Sequence, residues 1–150
     1  MTVYTEEIGN HLNTLLEKNY DAEKGYKTAA ENADSIILTN FFDRKAKQRK
    51  RFAEQLKAEL KDLAQEPETD GSVTGTLHRA WMNTKAMFTT NSDEAMLEET
   101  IRGEKASLED YNEVLDAELP LPESIEKILT NQKNTINYDT LTIKKLEDIQ

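Results

Sequence analysis

The chain contains no cysteine, two histidines, one tryptophan, five glycines and three prolines. Without cysteine there are no disulfides, no thiolate metal ligands and no cysteine nucleophile; the absence also fits a reducing compartment. Few glycines and prolines leave little material for hairpin turns, and no stretch keeps up the alternation of a strand. No apolar run approaches membrane-spanning length, so no membrane partner is expected. The opening MTVYTEEIGNHLN has neither a basic nor an apolar leader region, so a secretory signal is not expected and a cytoplasmic location is. Basic residues are in the minority, 19 against 29 acidic ones, for a net charge of −10. That balance repels a phosphate backbone, and nucleic-acid binding is disfavoured.

What the chain does have is charge and helical periodicity. Charged residues make up 32% of its 150 residues, a composition suited to long amphipathic helices in a single domain, 1–150. The stretch Leu97–Leu115 is the most informative. Leu97, Ile101, Leu108, Tyr111 and Leu115 recur in helical phase, and Glu104 falls on the same face. A carboxylate therefore points where a core residue belongs.

Three further stripes flank it. Ile8, Leu12, Leu15, Ala22, Tyr26, Ala29 and Ala33 define a first helix, with Asn19 in the gap of the phase and Glu23 at the stripe's edge. About 28 residues at 1.5 Å each give it a length of roughly 40 Å. Asp34 or Ser35 caps a second helix, from about Ile36 to Ala64. Its seven-residue rows are Phe42, Leu56 and Leu63, and Ala46, Ala53 and Leu60. Arg49 fills the vacant place in the first row, while Lys45, Lys47, Lys50 and Lys57 read as a solvated outer face. Pro122 sits at the start of a fourth helix with Ile125, Leu129, Ile136, Ile143 and Leu146 on one face and Gln132 and Asp139 in phase. Between the second and third long helices, Val73, Leu77, Trp81 and Phe88 predict a short crossover helix over Gly71–Phe88, docked by Trp81. A crossover lets the second and third helices run parallel. Asp21-Ala22-Glu23-Lys24 is also weakly echoed by Arg102-Gly103-Glu104-Lys105, as in two related helix pairs.

Three runs carry a family resemblance. They are Glu23-Lys24-Gly25-Tyr26 with Ala29-Ala30-Glu31, Gly71-Ser72-Val73 with Leu77-His78-Arg79-Ala80-Trp81-Met82, and Arg102-Gly103-Glu104 with Tyr111. Together they resemble a bacterial family of four-helix-bundle proteins of unknown function in the ferritin-like superfamily. The resemblance implies an all-α, ferritin-like four-helix bundle: two antiparallel helix pairs joined by a crossover. It implies no activity, substrate or ligand set.

Ferritin-like bundles hold a metal pair with one Glu from each of two helices and Glu-x-x-His from each of the other two. Glu23 and Glu104 match the single carboxylates. No Glu-x-x-His occurs anywhere in the chain: Ile8 precedes His11 at that distance, and Gly75 precedes His78. An inward Arg49 also opposes a metal by Coulomb repulsion. The sequence thus predicts a buried polar network of Glu23, Arg49, Glu104, Gln132 and Asp139, with Arg49 pairing a carboxylate, and no cofactor. The function expected is a non-enzymatic binding or structural role, including one under stress, with homodimerisation through helix faces as one form. The alternative is a divergent dimetal-carboxylate protein binding iron or manganese through Glu23 and Glu104. The Gly71–Gly75 turn lacks a P-loop lysine, no Ser-His-Asp set can be placed, and His78 beside Arg79 is at most a weak anion contact.

Overall fold

In the computed structural model, which describes residues 3–67, 93–117 and 119–149, the apolar stripes form four helices and no strands. These are α1 (Val3–Asn32), α2 (Ile36–Asp62), α3 (Asp93–Leu115) and α4 (Glu123–Ile149). The predicted crossover over Gly71–Phe88, with Trp81 and His78, lies outside the described residues, as does the side chain of Leu146.

Local chemistry sets the helix ends. Ser35 has an extended backbone and accepts a hydrogen bond from the Leu38 N–H at 3.4 Å, capping α2. At the other end, the N–H of Gln65 donates to the Leu60 carbonyl and that of Ala64 to the Lys61 carbonyl, each at 2.9 Å. This is the Schellman closure, with Ala64 at φ 57° where glycine or asparagine is usual. Pro122 precedes α4, and its carbonyl accepts from the Glu126 N–H at 3.0 Å.

α1 packs mainly on α2, and α3 mainly on α4. The two hairpins meet through α1–α3 and α2–α4 contacts. Cross-hairpin bonds fix the directions. Along α1 the residues Lys18 and Tyr26 meet Asp110 and Glu104 of α3, so these helices are antiparallel. Along α2, Lys45 and Gln55 meet Asp139 and Gln132 of α4, again antiparallel. It follows that α2 and α3 run parallel. The Asp93 carboxylate accepts from the N–H groups of Asp34 and Ser35, each at 2.9 Å, which ties the start of α3 to the α1–α2 turn.

The core is split in two. Near one end Ile8, Leu12, Leu15, Leu56, Leu60 and Leu129 pack together with their neighbours. Toward the other end Ala29, Leu38, Phe41, Phe42, Met96 and Leu97 form a second cluster. The side chains between them are polar.

Candidate functional site

Glu104 lies at the centre of this polar layer and is 2% exposed. Helical phase carries it inward from α3, between Thr100 and Tyr111, which are also buried. Its Oε1 accepts from Arg49 Nη2 at 2.6 Å and from the Tyr26 hydroxyl. Its Oε2 accepts from Lys45 Nζ at 3.2 Å. One carboxylate thus meets two cations, both on α2 and both at most 3% exposed.

The network continues in both directions. Arg49 Nη1 donates to Asn19 Oδ1 at 2.9 Å, and Nη2 reaches Ser107 Oγ at 3.2 Å. Asn19 donates to the Tyr111 hydroxyl at 3.0 Å, which donates to Gln132 Oε1 at 2.5 Å. Gln132 then donates to Gln55 at 2.9 Å and to the Phe52 carbonyl at 3.3 Å. On the other side, Lys45 Nζ donates to Asp139 and Gln48 at 2.8 and 2.7 Å, and Gln48 donates to Asp139 at 2.8 Å. The Lys45 ammonium also lies 5.6 Å from the Tyr26 ring centroid, within cation–π range. All four helices contribute.

The electrostatics follow from these contacts. Burial alone would raise the Glu104 pKa, but the charges of Arg49 and Lys45 outweigh it and hold the group below its ordinary value. Burial would lower the Arg49 pKa, but Glu104 raises it above the ordinary range. Tyr26 is pushed well up by burial and by the adjacent carboxylate. Burial pushes Tyr111 up to about 12. The centre at neutral pH therefore holds an ionised carboxylate, a protonated guanidinium and two protonated tyrosines. Among the described residues, Arg49 Nε is a buried donor without a partner.

The predicted residues are distributed unevenly. Arg49 and Glu104 are in direct contact. Asp139 joins them through Lys45 and Gln132 through Tyr111, neither touching Glu104 directly. Glu23 is not in the network: it is half-buried and pairs with Lys27 one turn along α1, at 3.0 Å. It lies one step around from the Ala22–Tyr26 face, and Tyr26 takes the inward place.

Lys45 corrects the reading of a solvated outer face. It is 3% exposed, and Arg49 is not the only basic residue inside. The signal was a third seven-residue row, Leu38-Lys45-Phe52, whose two apolar members are buried with it. Asn19, Tyr26 and Tyr111 lie on apolar stripes in the sequence, and their polar ends carry the network.

Chemically, this arrangement is a clamp. Both oxygens of Glu104 already face cations, and Asp139 is engaged by Lys45 and Gln48. A divalent ion here would meet two fixed positive charges within one carboxylate's width. Among the described residues, no group of three or more His, Cys, Asp or Glu side chains is gathered as a metal needs. This donor set does not fit a dimetal pair. No helix of the described residues is long and apolar enough to cross a membrane.

Residues 7–117 match a family model described as Domain of unknown function (DUF2383). No curated protein is similar enough to match the chain.

Proposed function

The chain belongs to the DUF2383 family, and on that premise we propose that it is a non-enzymatic, ferritin-like bundle whose place for a dimetal centre is taken by ion pairs. Its role in this reading is binding or structural and is carried by the outer helix faces, toward a ligand, a partner or a second copy. The ferritin-like assignment is supported by two antiparallel hairpins in which α2 runs parallel to α3. The observation that carries the reading is Glu104 with Arg49 on one oxygen and Lys45 on the other. The carboxylate best placed to bridge metals is neutralised from within the protein. A network of this kind fixes helix register more than it adds stability.

Metal content tests this reading. Protein purified without added chelator should carry far less than one equivalent of iron or manganese. The same should hold after incubation with ferrous or manganous salt and desalting. About two equivalents per chain, the stoichiometry of a two-metal site, would overturn the reading in favour of the Glu23–Glu104 dimetal alternative.

A further inference from the structure

A groove of about 560 Å³ runs between α2 and α4, with Phe41 of the second core cluster and Lys45 of the polar layer in its lining. Arg44, Lys47 and Arg51 line its α2 wall, and Tyr138, Asp139 and Thr142 its α4 wall. Two properties set it apart from an ordinary charged surface. First, α2 concentrates basic residues in an acidic chain: Arg44, Lys45, Lys47, Arg49, Lys50 and Arg51 fall within residues 44–51, with no acid among them. Second, Arg44, Lys47 and Arg51 are exposed and form no ion pair with any described residue. The one acid in the lining, Asp139, is already held by Lys45 and Gln48 at 2.8 Å each. The groove therefore presents three cations that no described acidic residue neutralises, Arg44 lying 5.9 Å from the Phe41 ring centroid.

We propose that this groove binds an oligophosphate, free or as the tail of a nucleoside triphosphate. The spacing sets the size. Arg44 and Arg51 lie seven residues apart on one helix face, roughly 10 Å along the axis, with Lys47 between them. Charges spread over two turns suit an anion with several centres better than one carboxylate or one phosphate. Guanidinium forks match phosphate oxygens, and Lys47 adds a mobile point charge. On the facing wall the Tyr138 side chain brings a hydroxyl donor, and its ring, 70% exposed, is open for stacking; the Thr142 hydroxyl already donates to the Tyr138 carbonyl at 3.5 Å. A long polyanion is excluded by the rest of the molecule. Beyond a Debye length of about 8 Å it would meet the acidic surface of a −10 chain, whereas a short oligophosphate stays within the local positive field.

This proposal goes beyond the structural reading of the bundle centre, because Arg44, Lys47 and Arg51 touch none of the atoms around Glu104. Isothermal titration of the full chain with sodium tripolyphosphate, against sulfate at equal ionic strength, tests it. Saturable one-to-one binding of tripolyphosphate over sulfate is expected. The Arg44→Gln, Arg51→Gln double variant should bind at least tenfold more weakly, with an unchanged far-UV spectrum and urea midpoint. Amide shift mapping should place the perturbation in residues 44–51 and 138–142, which reports the site even if a variant misfolds. ATP in place of tripolyphosphate separates the two sources. Tighter ATP binding that is lost in Tyr138→Ala indicates a nucleotide, and equal affinity a free phosphate chain. The proposal is overturned by no saturable heat, equal affinity in the double variant, shifts confined to other helices, or tighter binding of a single-stranded oligonucleotide than of tripolyphosphate.

Discussion

Arg49 and Arg51 stand two residues apart on α2, in opposite surroundings. Arg49 is 1% exposed and bonded to Glu104, Asn19 and Ser107. Arg51 is exposed, lines the α2–α4 groove and forms no ion pair with a described residue. Two residues turn a helix by about 200°, more than half its circumference. The same guanidinium is thus a tie across the bundle in one place and a free charge in the other. Residue type alone says nothing of which role a basic side chain plays; position around the axis decides it.

The largest test of the contrast is Arg49→Met. It leaves Glu104 with Lys45 as its one remaining cation and strips the partner from Asn19 Oδ1. The expected loss is about 3–5 kcal/mol in urea unfolding, as for a buried pair broken on one side. Adding Glu104→Gln should recover part of it: the carboxylate left with a single cation is then gone, and Lys45 keeps its pairing with Asp139 at 2.8 Å. Additive losses in the double variant would show that the two groups do not act as a pair.

Acid probes the same carboxylate without a mutation at Arg49. Its folded pKa lies below the ordinary value, so the unfolded chain takes up the proton first as pH falls. The stabilisation is fully present above the ordinary glutamate pKa of about 4.3 and is lost progressively beneath it, as pH falls toward the folded pKa. The stability gap between the parent and Glu104→Gln should therefore stay constant from pH 7 to about 5.5 and change below that. A gap that does not change with pH would mean that Glu104 has the same pKa in the folded and unfolded chain, and a gap that falls as pH rises from about 4.3 would mean that it is protonated in the fold.

Tyr111→Phe should have a smaller effect. The hydroxyl accepts from Asn19 and donates to Gln132, so its loss leaves two buried amides short of a partner. The expected cost is about 1–3 kcal/mol, read by the same unfolding experiment. A neutral outcome would mean that water fills the place of the hydroxyl, and that the network is less continuous than its geometry.

Periodicity carried most of the fold. The four stripes are the four helices, and Asn19, Arg49, Glu104 and Gln132 stand out in the sequence because each is polar in an apolar row and each is buried. What periodicity leaves open is which polar groups face one another. Arg49 and Glu104 are 55 residues apart in sequence, and helix phase assigns a depth and a face but no partner. Lys45 was missed because a lysine among other charges reads as surface, although its row, Leu38-Lys45-Phe52, is otherwise apolar. Glu23 misled for the opposite reason. The echo of Glu104 in its flanking sequence suggested an equivalent place, but the α1 stripe turns Tyr26 inward and leaves Glu23 at the rim with Lys27. The groove was out of reach of the sequence, because Tyr138 and Asp139 meet Arg44, Lys47 and Arg51 only once α2 and α4 are packed.

The smallest effect is expected at Arg51. Arg51→Met repeats, two residues along, the substitution that should be severe at Arg49. No buried carboxylate loses a partner, and no hydrogen bond to a described residue is broken. Helix propensities of arginine and methionine are close. The change also relieves one repulsion, with Lys47 four residues before it, worth about 0.2–0.5 kcal/mol at low salt. Loss of the long aliphatic stem from the groove wall acts the other way. The net should lie within about 0.5 kcal/mol of the parent in urea unfolding. Screening gives the direction a check: any gain should shrink as salt rises from 10 mM toward 1 M, where the Debye length falls from about 30 to 3 Å. A loss approaching that of Arg49→Met would mean that Arg51 is engaged within the fold, and the groove would then lack one of the three cations that no described acidic residue pairs with.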